Sequence, residues 1–410
     1  MAENNPAPLT TGNTASAFAS AEPSPATQKL NRPRVFFPNL DGLRFVCFFM
    51  VFLFHINKSV TETYLANNQP VPGFFKIFGL LFQNGNLGVN FFFVLSGFLI
   101  TFLLIKEKEY TGKIHVGNFY VRRILRIWPL FYLCVFIGFV LFPPVAHLVG
   151  VSGPETARPL YYVFFLNNFD VIESGHPKSL ILGILWSIAI EEQYYLSWPL
   201  ILSFLPLRYF KHACIAILAG SLVFRFFHHD QPDVLYFNTF AVIGDMALGG
   251  LFAYLTSYPN KFLDYVTNMS RWKILGIYAI AAFLFLLRRK LFYGGLPYSA
   301  VPERLIIATF FGLIIVEQNF SKNSFFKFSH FKLMTKMGIY TYGLYCLHFI
   351  GIYAALAITQ QAGGSPFSLA SNLVMAVLAL MITIGLSLLS YHLFEKKFLT
   401  LKDKFAFITK

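Results

Sequence analysis

The chain has 410 residues, of which 56% are hydrophobic and only 13% charged, with a formal net charge of +14. A soluble domain carries about 25% charged residues, so this composition excludes an ordinary water-exposed fold and points to a polytopic membrane protein. The positive balance could signal nucleic acid, but no basic patch interleaved with aromatics lies outside the apolar segments. It fits basic loops on one membrane face instead.

Residues 1–36 are rich in Ala, Pro, Ser, Thr and Asn and hold no apolar core. They predict a disordered cytoplasmic tail rather than a cleavable signal peptide. Ten apolar segments follow, at 41–57, 87–105, 124–142, 180–204, 212–228, 237–256, 273–288, 303–318, 338–358 and 372–394, each read as a membrane-spanning helix. The expected fold is therefore all-α, about ten transmembrane helices in one bundle over 37–400, with a short basic cytoplasmic tail at 401–410. Cys47, Cys134, Cys214 and Cys346 each sit inside an apolar segment with no CxxC spacing, which speaks for packing and against a disulfide frame or a metal site.

The first span carries Arg44 and, eleven positions on, His55, with only apolar residues between. Eleven residues make about three helical turns, so both project from one face roughly 16 Å apart. Taken alone, Arg44 also suits a helix-end anchor, and His55 a neutral imidazole bonded to a neighbouring helix. The second span, NLGVNFFFVLSGFLIT, embeds Asn90, Ser96 and Gly97 among aromatics. Arg123 and Arg126, at i and i+3 where the third span begins, are placed to grip one anion, or equally to meet lipid headgroups.

The short apolar stretch LYYVFFLNNF (160–169) reads as interfacial or re-entrant. Next, LWSIAIEEQYYLSWP puts Glu191 and Glu192 mid-span, where ionised groups cost at least ~2.5–3.5 kcal/mol. Ser187, Glu191 and Tyr195 share one side of that helix at i, i+4 and i+8. Asp245 falls within the 237–256 span. In the ninth span, Tyr345 and His348 sit at i and i+3. Most Lys and Arg fall on one side of the bundle if both termini are cytoplasmic. The Arg288–Lys290 cluster does not fit that pattern.

The segments LDGLRFVCFFMVFLFH, GNLGVNFFFVLSGFLI, FYVRRILRIWPLFYL, LWSIAIEEQYYLSWP, YGLYCLH and YHLFEKKF, in this order, resemble the membrane-bound acyltransferase family 3, bacterial O-acyltransferases that modify sugars. The resemblance covers about residues 37–400. It implies a bacterial inner-membrane enzyme that moves an acyl group, usually acetyl, from cytoplasmic acyl-CoA to a hydroxyl of a carbohydrate or glycan acceptor, with no metal and no nucleic-acid partner. The family's Arg-x10-His pair matches Arg44 and His55, its Arg-x-x-Arg matches Arg123 and Arg126, and its acid and tyrosine match Glu191 and Tyr195. Two departures stand out. Lys397 replaces the family's usual proline after Glu395 and Lys396, and Val242 lies where an arginine is frequent near Asp245. Some relatives carry an esterase-like domain after the last helix, and this chain is expected to lack one.

The expected chemistry follows from that resemblance. Arg44, Arg123 and Arg126 form a phosphate-binding mouth for acyl-CoA, with Ser96 in the donor-binding set. His55 is the general base, because an unperturbed imidazole of pKa ~6.5 suits proton transfer near neutrality. Glu191 orients His55 or supports its imidazolium, and Tyr195 or His348 donates to the oxyanion. The alternative reading is a transporter or flippase for a lipid-linked sugar or organic acid, which also buries charges.

Overall fold

Hydrocarbon offers no partners to backbone amides, so an apolar chain of this kind closes its hydrogen bonds within helices. The computed structural model describes residues 37–295 and 298–405, and among them it contains helices and no strand. The predicted tail at 1–36 and residues 406–410 lie outside the described residues. Ten helices run 18 residues or longer: α1 (Pro38–Ala66), α2 (Leu87–Thr111), α3 (Val116–Phe136), α4 (Trp186–Phe204), α5 (Phe210–Phe227), α6 (Thr239–Ser257), α7 (Arg271–Phe292), α8 (Ala300–Phe320), α9 (Thr341–Gln361) and α10 (Leu369–Ser390).

Seven of these lie in segments long and apolar enough to cross a membrane: α1, α2, α3, α5, α6, α9 and α10. The expected count of ten is met in long helices, but three of them, α4, α7 and α8, fall outside those seven. Each of the three carries ionisable residues along its length: Glu191 and Glu192 on α4, five Arg and Lys on α7, and Glu303, Arg304 and Glu317 on α8. The stretch at 160–169 forms parts of two short helices, Pro159–Val163 and Asn167–Ser174. Beside it, Arg158 and Tyr161 bond to Glu173 and hold its carboxyl below the usual range. The segment 401–405 is no loose tail. It continues a helix from Lys396, and the carbonyl of Phe405 accepts from Arg122 at 2.6 Å.

Proline at the first turn and Asp41 in it suit the start of α1. That start is fastened to the end of α8 and the segment that follows it. The Asn39 amide donates to the Gln318 carbonyl at 2.8 Å and accepts from the Ser329 amide at 2.9 Å. Helix α1 then packs on α2, and α2 lies against α6, the tightest pairing in the bundle. Small residues set that approach. A β-carbon on Gly97 would stand 2.0 Å from the Met246 carbonyl oxygen, and one on Gly249 would stand 2.0 Å from that of Val94. Fully buried aromatics, among them Phe48, Phe52, Phe93, Phe98, Phe131 and Trp198, fill the centre around α1, α2, α3 and α4.

The four cysteines are buried and unbridged, in keeping with packing. Gly97→Leu forces backbone rather than a flexible side chain to move, so it costs about 3 kcal/mol or more, the upper end of overpacking penalties. Gly276→Leu, on α7 with nothing within 4 Å of the new carbon, leaves stability unchanged. Thermal midpoints of the detergent-solubilised variants check the pair.

Candidate active site

Five helices and one junction enclose a cavity of about 170 Å³. Arg44 comes from α1, Ser96 from α2, Arg123 and Arg126 from α3, and Ser187, Glu191 and Tyr195 from α4. Gly338 and Ile339, just before α9, close one side, and Thr341, Tyr342 and Tyr345 of α9 another. Val89, Phe92, Phe93, Leu99 and Ile100 make much of the remaining wall apolar. Helical periodicity placed Ser187, Glu191 and Tyr195 on one side of α4, and all three face this space. Gly338 admits the close approach that sets Arg44 there, since a β-carbon on it would meet the Asp41 carbonyl oxygen at 2.0 Å.

The charges are distributed unevenly. Arg44 is paired with Asp41, three residues earlier on the same helix. The Arg123 guanidinium lies 5.3 Å from the ring centres of both Phe119 and Tyr195, in cation–π range. Glu191 accepts from the Ser96 hydroxyl at 2.9 Å. The adjacent carboxylate turns away, because one residue on a helix is 100° of rotation. Glu192 accepts from the Trp128 indole at 2.8 Å and does not line the cavity. One end of the space therefore presents three guanidiniums against Asp41 and Glu191, a net cationic mouth on otherwise apolar walls.

The opposite end closes at a hydrogen bond. Tyr345 and Ser187 hydroxyls meet at 2.8 Å. His55 and His348 are not in the lining. They lie one helical turn beyond Tyr345, where His55 Nδ1 and His348 Nε2 are 2.9 Å apart. His348 Nδ1 in turn is 2.6 Å from the main-chain oxygen of Tyr345.

Two expectations are corrected here. The partner of His55 is His348, while Glu191 is bonded to Ser96, so among the described residues no carboxylate orients that imidazole. Both ring nitrogens of His348 are engaged, which leaves its neutral ring no donor for an oxyanion. Arg44, Arg123, Arg126, Ser96, Glu191 and Tyr195 are brought together, and the two histidines form a separate pair linked to them through Tyr345. Tyr345 and Ser187 were missed as site residues. Their only sequence signal was position on the same helix faces as Glu191 and His348.

A second buried polar cluster lies between α5, α6, α7 and α8. Arg304 pairs with Asp245 at 2.5 Å, Arg288 pairs with Glu303, and Arg225 donates to the carbonyls of Ala300, Val301 and Leu235. Tyr293 also donates to Glu303 at 2.8 Å. This explains the misfit of Arg288 with the loop-charge pattern, since its guanidinium is buried and paired rather than a topology signal. Asp245, which lacks an arginine near Val242, finds one on α8. Glu395 accepts from Ser390 at 2.8 Å.

These features define a helical membrane protein built around an internal cavity with a cationic mouth. The family follows from comparison. A family profile described as an acyltransferase domain matches residues 37–392, and the chain belongs to that acyltransferase family. The O-acetyltransferase OatA of Staphylococcus aureus (strain NCTC 8325) is 29% identical over 337 residues, 78% of this chain and 51% of the relative. The peptidoglycan O-acetyltransferase OatA of Listeria monocytogenes is 27% identical over 338 residues, 77% of this chain and 49% of the relative. The chain thus spans about half the length of these curated relatives. No solved structure matches it.

Asp245→Ala strands the Arg304 guanidinium in the second cluster and costs about 3–5 kcal/mol. The measurement is the melting temperature and folded yield of the variant.

Proposed function

We propose that the domain is an integral-membrane O-acyltransferase, moving an acetyl group from acyl-CoA to a hydroxyl of a carbohydrate or glycan. The observation that carries this reading is the convergence of Arg44, Arg123 and Arg126 at one end of an apolar cavity inside the bundle. Such a site suits a ligand with an anionic head and a long thin arm, and arginine forks match phosphate oxygens. The relatives support the reaction class, since they are named O-acetyltransferases, and one is named for peptidoglycan.

In this reading all ten long helices cross a bacterial inner membrane, with the carboxyl groups of α4, Arg288 of α7 and the charges of α8 turned into the bundle. Both termini and the arginine mouth face the cytoplasm, where the donor is found. Arg44, Arg123 and Arg126 hold the phosphates, and Ser96 and Glu191 border the arm. Parting of the Ser187–Tyr345 hydrogen bond joins the cavity to His55. The acceptor hydroxyl then gives its proton to His55 as its oxygen attacks the thioester carbonyl carbon. The C–S bond breaks, and the imidazolium returns the proton to the leaving thiolate, so the products are an ester and a free thiol. Tyr195, whose ring packs on the Arg123 guanidinium, serves the phosphate end in this reading rather than the oxyanion.

His55→Ala abolishes transfer of label from acetyl-CoA to acceptor in reconstituted membranes, while the protein inserts and melts as before. Label transferred at the parent rate by the folded variant overturns the base assignment. Arg44→Ala weakens acetyl-CoA binding about tenfold or more, the cost of one charge-assisted contact of ~1.5–3 kcal/mol. Unchanged affinity in a thermal-shift titration removes Arg44 from the mouth.

A further inference from the structure

The two histidines carry more information than their proximity. A main-chain carbonyl can only accept a hydrogen bond, so at 2.6 Å from the Tyr345 oxygen, His348 Nδ1 must hold a hydrogen. A neutral imidazole has one N–H, so His348 Nε2 then presents a bare lone pair. His348 is 0% exposed, and among the described residues no carboxylate pairs with it. A neutral ring is the form such a place accommodates, because an unpaired buried charge is costly. The group 2.9 Å from that lone pair is His55 Nδ1, which must therefore be the donor. The ring centres are 5.0 Å apart and the planes differ by 15°. The centre separation exceeds the N···N distance by nearly two ring radii, so the imidazoles meet edge to edge, with the lone pair of one along the N–H of the other.

The consequence falls on the far side of His55. With its hydrogen on Nδ1, its Nε2 is unprotonated, and among the described residues Nε2 has no hydrogen-bond partner. His55 is also the partly exposed member of the pair. In water, histidine carries its proton mostly on Nε2, so this bond selects the less common tautomer.

We propose that His348 is a positioning residue that locks His55 in the Nδ1–H tautomer and so presents Nε2 as the proton acceptor. Its catalytic consequence rests on the reading of His55 as the base, whereas the lock itself does not. His348 takes the place that a carboxylate holds beside the histidine of a hydrolase triad, but as a neutral acceptor. The lock is fastened to the cavity end, because the residue whose carbonyl fixes His348 is the one whose hydroxyl meets Ser187.

The direct test is nitrogen-15 NMR of the full chain, labelled at histidine and reconstituted in bilayers, with the His55 signals assigned from His55→Ala. The expected spectrum has a protonated Nδ1 and a bare Nε2 at His55. In His348→Leu the His55 proton moves to Nε2. A wild-type His55 protonated on Nε2, or a tautomer unchanged in His348→Leu, overturns the lock.

The kinetic arm uses acetyl-CoA as donor. His348→Leu lowers kcat about 100-fold or more, the scale of a misplaced general base, and leaves the KM for acetyl-CoA unchanged. His348→Gln restores an acceptor where Nε2 stood and recovers most of the loss. Loss of rate in His348→Leu that His348→Gln does not rescue shows a merely structural role and overturns the proposal. The expected spectra in a protein that transfers no acetyl group leave the lock standing and remove the acyltransfer reading instead.

Discussion

An ionised side chain inside hydrocarbon must be neutralised by a partner or kept for a purpose, and the arrangement of this protein follows from how that constraint is met. Asp245 with Arg304, and Glu303 with Arg288 and Arg225, are spent on each other. Their hydrogen-bonding groups are turned to one another, to Tyr293 and to main-chain carbonyls, so the cluster ties α5, α6, α7 and α8 into one body. The charges of α3 and α4 are treated differently. Arg123 meets the rings of Phe119 and Tyr195 and the field of Arg126, and among the described residues neither has an ion-pair partner, while Arg44 pairs with Asp41. Like charges held together without full compensation suit an anionic ligand. That contrast, more than any one contact, separates the cavity from the rest of the polar interior.

The cavity depends in turn on two close approaches. The α2–α6 contact through Gly97 and Gly249 leaves the opposite face of α2, with Phe92, Ser96 and Leu99, free to form a wall. The packing of Gly338 against the Asp41 main chain brings the junction before α9 beside Arg44. Larger residues at either place would fill or distort the space before any substrate reached it.

Sequence made the helices legible because hydropathy acts on whole segments, and the ten read segments all correspond to long helices or helix pairs. It made α4 legible because periodicity alone puts Ser187, Glu191 and Tyr195 on one side. It could not tell Glu191 from Glu192, whose environments are set by α2 and by Trp128 of α3. Nor could it give His55 its partner, since His348 is 293 residues away. The assumption that Arg44 and His55 share one cavity because they share a helix face was too simple. Arg44 lines it, but Tyr345 and Ser187 close it before the level of His55 is reached. Arg288 stood outside the loop-charge pattern for a similar reason, because its carboxylate partner belongs to another helix.

A neutral histidine beside His55 also suits the surroundings better than a carboxylate would. A carboxylate at that depth must be desolvated whenever it is ionised, and it binds the resting imidazole so firmly that the charged pair becomes the ground state. A neutral acceptor imposes the same orientation and tautomer with one hydrogen bond and no buried anion. It stabilises the imidazolium less, which keeps the proton available for return to a leaving group. Under the proposed function, the base must both accept and release one proton in a single transfer. Orientation by a second imidazole, itself fixed by a carbonyl that cannot ionise, meets that requirement at constant net charge within the bundle.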